Sequence, residues 1–509
     1  MVSKIFSFAY SGLEVYPVDV EVDVQRGLPA VSLVGLLDSS AKESKDRVRS
    51  GIKNSGYEFI PQRITVNLAP ANIKKEGSHF DLAIALGILQ ATGQLHADLS
   101  EYLILGELSL EGNIRKVSGI FPMVLKAKEF KKKLIIPKDN IPEAGLIDNV
   151  HLYPVSHLTE AVGFLSGLVE KKPLQSLQHN AYSALLEHDI DFADVKGQLF
   201  AKRALEVGVS GMHNMLLIGP PGVGKTMLAK RIPTILPDMS YEEILEVTKI
   251  YSIAGLLHEK KPLIKTRPFR NPHHTASYVA LVGGGSHIRP GEISLAHYGV
   301  LFLDELPEFS RHSLEALRQP LEEGVVQIAR ATDHVRFPAR FLLAAAMNPC
   351  PCGYFTSPDK PCHCSSFQIQ RYRSKISGPL LDRIDIHIEL QNVKIEMLMA
   401  ESMAAESSAT IKERVNLAMY IQRDRLKHNK LFFNAQMNHR LIRKYCLLTP
   451  DATQFFQAAV REFRFSVRVY DKILKIARTI ADLSESEIIK TEHICEAVQY
   501  RSLDKNLWI

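Results

Sequence analysis

Met215 to Thr226 reads MLLIGPPGVGKT, and this stretch decides the fold. The four apolar residues Met215 to Ile218 predict a buried strand. A loop of Gly219, Pro220, Pro221, Gly222, Val223 and Gly224 follows, closed by Lys225 and Thr226. It fits G-x-x-x-x-G-K-[ST], and MLAKRIPTI from Met227 predicts the helix that leaves it. A strand, a glycine-rich loop and a helix in that order turn backbone N–H groups toward the α- and β-phosphates of a nucleotide. Lys225 is expected to reach the β- and γ-phosphates, and Thr226 to hold Mg²⁺. The stretch therefore predicts an α/β fold that binds a nucleoside triphosphate.

Three later stretches supply what hydrolysis needs. VLFLDELPEF, from Val300, puts four apolar residues before Asp304 and Glu305. Acids at the carboxyl end of a parallel strand face the ligand crevice of an α/β sheet. Asp304 is expected to hold Mg²⁺ through water, and Glu305 to polarise the attacking water. RFLLAAAMN, from Arg340, predicts a third strand that ends in Asn348, an amide suited to orienting that water. In SGPLLDRIDIHIEL, Arg383 could neutralise charge on a phosphate in a neighbouring subunit's site, or pair internally with Asp382 or Asp385. Arg468 opens an amphipathic helix and is a candidate sensor of bound nucleotide.

NPCPCGYFTSPDKPCHCSSF sets Cys350 and Cys352 against Cys362 and Cys364 across a loop of turn formers. Four thiolates can surround Zn²⁺ tetrahedrally and so replace a core that a polar loop cannot build. The C-x-C spacing is tighter than the common two-residue gap, so an iron–sulfur centre and a metal-free loop stay open as alternatives. Cys446 and Cys495 stand alone and read as reduced core residues.

Between Thr226 and Asp304 runs a long insertion containing GGGSHIRPG, Gly283 to Gly291. His287 and Arg289 are candidate DNA contacts there, or caps of a local turn. His273 and His274 are adjacent and show no evident partner, so they read as structural. Val325–Ala329 and His334–Phe337 alternate around a polar turn and predict a β-hairpin. Its Arg330, His334 and Arg336 could meet phosphates without reading base sequence, or be solvated.

The nucleotide unit resembles AAA+ ATPases of the branch that includes magnesium-chelatase ATPase subunits and MCM helicases. VSLVGLLDSSAKESKDRVRSGIKNSG, RPFRNPHHTAS, RPGEISLAHYGVLFLDELPEF, NPCPCGY, SGPLLDRIDIH and ARTIADL extend the likeness over the whole chain. On these stretches the chain resembles the bacterial magnesium-chelatase-like YifB/ComM family. The resemblance implies ATP and Mg²⁺ as cofactors. It implies phosphate-site roles for Lys225, Thr226, Asp304, Glu305, Asn348, Arg383 and Arg468, the two arginines acting at subunit boundaries. It implies an insertion and a presensor hairpin directed at a ring's pore. It also implies a homohexameric DNA motor for branch migration in recombination and natural transformation, with recombination proteins as further partners.

Residues 1–168 resemble the α/β fold of the Lon proteolytic domain and of the ribosomal S5 second domain. KKEGSHFDLAIALGILQATG and LGELSLEGNIRKVSGIFPM carry that likeness. Lon-type proteolysis needs a serine paired with a lysine. Here His79 and Phe121 stand where those two residues are expected, and nothing in the spacing supports Ser78 with Lys116 instead. The domain therefore reads as noncatalytic.

Within that domain the sequence predicts strands in LEVYPVDVEVDV, RITVNLAP, YLILGEL and KLIIP, and helices from Ser40, from His79 and across VSGIFPMVLKAKEFKKK. A connector follows at Val169–Glu187. The expected domains are 1–168, the ATPase core 188–396 with a cysteine-rich insertion at 348–367, and a helical lid at 397–509. The lid is expected to hold helices near 411–426, 437–446, 451–462, 467–483 and 485–501.

The 509 residues suit about three domains. The 62 basic and 56 acidic residues leave a net charge of +6, which permits a polyanion partner without demanding one. No 18-residue apolar run occurs, so no membrane span is expected. The opening MVSKIFSFAYSGLEVYPV lacks a signal-peptide pattern, and a cytoplasmic location is expected. Two other classes stay open: a remodeller of protein complexes, including a chelatase-like one, and an ATP-dependent protease, against which the missing Ser–Lys pair argues.

Overall fold

Alternating apolar residues build the first sheet. In the computed structural model, Val2–Ser11 and Glu14–Gln25 form an antiparallel hairpin whose register runs from Val2 opposite Asp23 to Ser11 opposite Glu14. The structure describes residues 2–174, 190–258, 262–285, 288–329, 334–355, 357, 360–392, 406–429 and 431–503. His287, Arg330, most of the connector and the expected 396/397 boundary lie outside them.

The N-terminal sheet has seven strands. Their order is Ala30–Val34, Arg63–Ala69, Glu14–Gln25, Val2–Ser11, Tyr102–Ile104, Lys133–Pro137 and Leu152–Val155. Three of these, Val2–Ser11, Ala30–Val34 and Leu152–Val155, go beyond the sequence expectation. Helix Asp81–Ala91 is buried over most of its length against the sheet. A Cβ on Gly87 would stand 2.6 Å from Val22 Cγ2, so only glycine permits that approach. Asp81, at the buried start of this helix, is held by Arg47 Nε at 2.7 Å. The helix expected across residues 117–133 is Ile120–Phe130, opened and closed by left-handed residues at Gly119 and Lys131.

The second sheet is wholly parallel. Along it lie Ile386–Glu389, Met215–Ile218, Leu342–Met347, Val300–Leu303 and Phe269–Arg270. In chain order this is 5-1-4-3-2. Met215 and Leu217 enter one apolar cluster, and Leu216 and Ile218 another, because both faces of the sheet are covered. That double burial is why these strands read as unbroken apolar runs. The chain leaves Met215–Ile218 toward the Phe269–Arg270 edge and leaves its neighbour Leu342–Met347 toward the Ile386–Glu389 edge, so the connections diverge at a switch point where α/β sheets open a ligand crevice.

The tail forms helices Ser408–Leu426, His439–Tyr445, Pro450–Phe463, Val467–Leu483 and Thr491–Gln499. The last starts later than expected. Glu485 turns left-handed at φ 53°, and Arg478 reaches out to the Glu487 carbonyl at 2.7 Å, which holds the intervening turn. Buried Asp482 accepts bonds from Asn434, Arg425 and Arg478, tying three tail segments together. The tail shares one apolar cluster with helix Leu199–Gly211, which precedes the phosphate-loop strand.

The N-terminal sheet is joined to the parallel-sheet unit in the same way. Helix Tyr241–Ala254 places Ile244, Val247, Ile250 and Tyr251 in a cluster with Phe8, Leu103, Phe121 and Leu134. Glu143 crosses this joint: its Oε1 accepts the Phe121 amide at 3.1 Å and also the Ser252 hydroxyl. Burial pushes the Glu143 carboxyl above its ordinary range. No described helix is long and apolar enough to cross a membrane.

Candidate functional site

The phosphate loop leaves the sheet where its sequence predicts. Gly222 and Gly224 both have positive φ, 80° and 94°, and helix Lys225–Ile235 starts directly after. These left-handed turns need glycine and leave the amides at the helix start free to face an anion. Lys225 Nζ donates to Gly219 O at 2.7 Å, to Pro220 O at 2.8 Å and to Asn348 Oδ1 at 3.0 Å. Burial lowers the Lys225 pKa to about 8, against the opposing pull of Asp304 and Glu305. A polyphosphate would supply the missing counter-charge.

Thr226 Oγ1 donates to Asp304 Oδ2 at 2.7 Å. The strand order makes this contact, because Val300–Leu303 ends on the same edge as the phosphate loop. A hydroxyl and a carboxylate converging there are hard oxygen donors suited to Mg²⁺. Glu305 follows with a left-handed backbone at φ 52°. Such a conformation in a non-glycine residue is strained and favours a functional reading.

One residue of this site was missed by sequence reasoning. His274 Nδ1 lies 3.2 Å from Glu305 Oε2, so the adjacent histidines do have a partner. Asn271, Pro272, His273 and His274 line a cleft with Asp304 and Glu305. The strand Phe269–Arg270 pairs beside Val300–Leu303 and carries the histidines there. The only signal in sequence was that RNPHH sat in a stretch shared with the family.

The arginines lie apart from Lys225 in their bonding. Arg383 binds neither Asp382 nor Asp385: it pairs with Glu322 and donates to Pro379 O at 2.5 Å. Asp382 instead takes Arg468 at 3.2 Å, and the Arg468 side chain is 73% exposed. Asp385 goes to Lys472 at 2.9 Å. Arg468 thus bonds the residue next to Arg383, whose own side chain is only 14% exposed.

The four cysteines come together. Cys350 Sγ lies 3.3 Å from Cys352 Sγ and 3.6 Å from Cys362 Sγ, with 3.5 Å between the last two. All four sulfurs fall within 4.8 Å of one another, a set that could hold a metal ion. The edge of a zinc–thiolate tetrahedron is about 3.8 Å, given Zn–S bonds near 2.3 Å. Amides of Gly353 and Phe355 point at Cys350, and those of Tyr354 and His363 at Cys352. Such N–H···S bonds orient thiolate ligands from outside the coordination shell. Cys446 is buried and Cys495 half-buried, and both are free.

Of the nucleic-acid candidates, Arg289, His334 and Arg336 are described, and all three are exposed. Gly283–Gly284 pairs with Arg289–Pro290, and Val325–Ala329 pairs with His334–Pro338. Ile288, Val335 and Phe337 form an apolar seam between the two ribbons. In the N-terminal domain, Ser78 hydrogen-bonds Glu107, and Lys116 is exposed. His79 is buried with Nε2 2.8 Å from Phe8 O, and Phe121 lies in the core.

Comparison with known proteins follows the same division. Residues 191–398 match the family described as magnesium chelatase, subunit ChlI. Residues 20–140 match subunit ChlI of Mg-chelatase, and residues 405–501 its C-terminal part. The chain is 44% identical over 509 residues to the protein YifB of Escherichia coli (strain K12), covering 99% of this chain and 98% of that one. It is 43% identical over 504 residues to competence protein ComM of Haemophilus influenzae, covering 98% and 97%.

The chain belongs to the magnesium-chelatase-like YifB/ComM family.

A more distant likeness, 22% identity over 311 residues, links it to DNA replication licensing factor Mcm6 of Drosophila melanogaster and covers 59% of this chain and 34% of that one. The ATPase core of this YifB/ComM-family chain is AAA+-like, with one parallel sheet and the cysteine cluster at its ligand edge.

Proposed function

We propose that this chain is an ATP-driven DNA motor that works as a homohexameric ring and promotes branch migration in recombination and natural transformation. The carrying observation is the pair of ribbons between the Glu305 and Asn348 strands and before Asp304. They expose Arg289, His334 and Arg336 on two segments that share one apolar seam. Cations on rigid ribbons attract a phosphate backbone without base readout. The relative named as a competence protein and the likeness to a replication licensing factor support DNA as the partner.

In this reading Lys225 and the loop amides bind the ATP phosphates, while Thr226 and Asp304 hold Mg²⁺. Glu305, positioned by His274, polarises water, and Asn348 orients it. Half-buried Arg383 and exposed Arg468, joined through Asp382, serve a subunit boundary and make hydrolysis depend on the ring. Zn²⁺ held by the four cysteines is structural, since no ligand position is left open for substrate. The N-terminal domain is noncatalytic, the tail is the lid, recombination proteins are further partners, and the ring acts in the cytoplasm.

The test is ATP hydrolysis and strand exchange on branched DNA, with Lys225→Ala as the control. DNA-stimulated hydrolysis and movement of the branch are expected. Hydrolysis that ignores DNA and answers to a protein complex would replace the motor with a remodeller.

A further inference from the structure

Building on the metal reading above, we propose that the four-cysteine centre is a clamp on the ATP site. Metal occupancy at Cys350, Cys352, Cys362 and Cys364 holds the phosphate loop and Asn348 in their nucleotide-binding geometry. The centre then does more than fold its own loop: it sets nucleotide affinity.

Gly353, inside the cysteine loop, faces Pro221 of the phosphate loop. A Cβ on Gly353 would stand 2.6 Å from Pro221 Cδ and 3.8 Å from Asn348 Cγ. At φ 86°, Gly353 also occupies a backbone region that other residues rarely adopt. Its amide donates to Cys350 O at 3.0 Å, so the turn that touches Pro221 is closed on a metal ligand.

Asn348 is two residues from Cys350, and its Oδ1 accepts from Lys225 Nζ. The backbone amide of Asn348 is directed to the Tyr372 hydroxyl. Arg373 donates to Pro349 O at 3.1 and 3.0 Å, and its cation lies 5.1 Å from the Phe355 ring centroid. Fixing Cys350 therefore fixes the backbone from Asn348 onward, and with it the acceptor that holds the phosphate-binding lysine.

Between Pro349 and Ser365, the described residues include no helix or strand. Cys352, Cys362 and Cys364 are only half-buried. An irregular loop with one buried thiol has little apolar area to offset its ordering entropy. Metal–thiolate bonds supply that ordering, as they do in small metal-folded modules.

The test uses the full chain, zinc content by mass spectrometry, and affinity for a fluorescent ATP analogue. Cys364→Ser is expected to lose the zinc and weaken nucleotide binding by about tenfold or more. Gly353→Val keeps all four thiols; it is expected to retain zinc yet weaken nucleotide binding, because its side chain presses on Pro221. If Cys364→Ser loses zinc with affinity unchanged, the clamp is overturned and the metal reading stands. A wild-type chain that takes up no zinc overturns both. Should Cys364→Ser fail to fold, Gly353→Val decides: zinc retained with unchanged affinity also overturns the clamp.

Discussion

His274 holds Glu305, with Nδ1 at 3.2 Å from Oε2. A carboxylate that polarises water works only from a fixed position, and Glu305 sits exposed on a strained left-handed turn. His274→Ala is expected to lower kcat for ATP by about tenfold, as loss of a positioning contact does, with nucleotide affinity nearly unchanged. Glu305→Gln is expected to cost about a hundredfold or more in kcat. Steady-state hydrolysis read beside nucleotide titration separates the two effects; an unaltered kcat in His274→Ala would remove that residue from the site.

Lys225 carries a pH signature. Its folded pKa, lowered to about 8 by burial, lies below the ordinary lysine value. The nucleotide-free protein therefore binds fewer protons than the unfolded chain above pH 8, and stability gains from this group as pH rises toward the ordinary lysine range. Phosphates beside Lys225 raise its pKa again, so ATP binding near pH 9 takes up a proton. Calorimetric titration at that pH in two buffers of different ionisation enthalpy measures the uptake. Equal enthalpies in the two buffers would refute it, and Lys225→Ala is expected to remove most binding.

The joint between the N-terminal sheet and the ATPase core is a shared interior. Ile250 is fully buried in the cluster that also holds Phe121 and Leu134. Ile250→Ala is expected to cost about 2–5 kcal/mol, the range for large-to-small core substitutions. Urea unfolding followed by circular dichroism is expected to show a lower midpoint and a single transition. Lys249→Ala on the same helix is the control, expected to move stability by no more than about 0.5 kcal/mol. Two separated transitions in the wild type would mean the domains do not share stability.

The N-terminal hairpin tip touches the ribbon that carries Arg336. A Cβ on Gly12 would stand 2.7 Å from Val335 Cγ1, and Leu13 packs against the Ile288–Val335–Phe337 seam. Gly12→Val is expected to displace the ribbon and reduce DNA stimulation of the ATPase severalfold, with DNA-free hydrolysis retained. Hydrolysis rates with and without branched DNA read this directly. Full stimulation in Gly12→Val would show that the hairpin tip does not govern the ribbon.

Some elements were plain in the sequence for a definite reason. MLLI, VLFL and LLAAAM belong to strands covered on both faces, so burial writes an unbroken apolar run. The hairpin at Val325–Pro338 was legible because Val335 and Phe337 face the seam while His334 and Arg336 face outward. Helix Tyr241–Ala254 is not legible in the sequence, because its apolar residues serve two domains and its pattern does not show one clean stripe. Strand Val2–Ser11 is hidden in the sequence because its apolar alternation is broken by buried serines at Ser3 and Ser7.

By itself, the sequence determined the local chemistry: the phosphate loop of Gly219–Thr226, the acids after a buried strand, and two pairs of thiols. These are legible because each depends on residues a few positions apart. Only the tertiary structure decided the partners. Glu305 received His274, Arg383 received Glu322, Arg468 received Asp382, and the cysteine loop came to rest on Pro221. Those pairings follow from the 5-1-4-3-2 strand order and from packing between domains, which bring together residues that nothing in their sequence spacing connects.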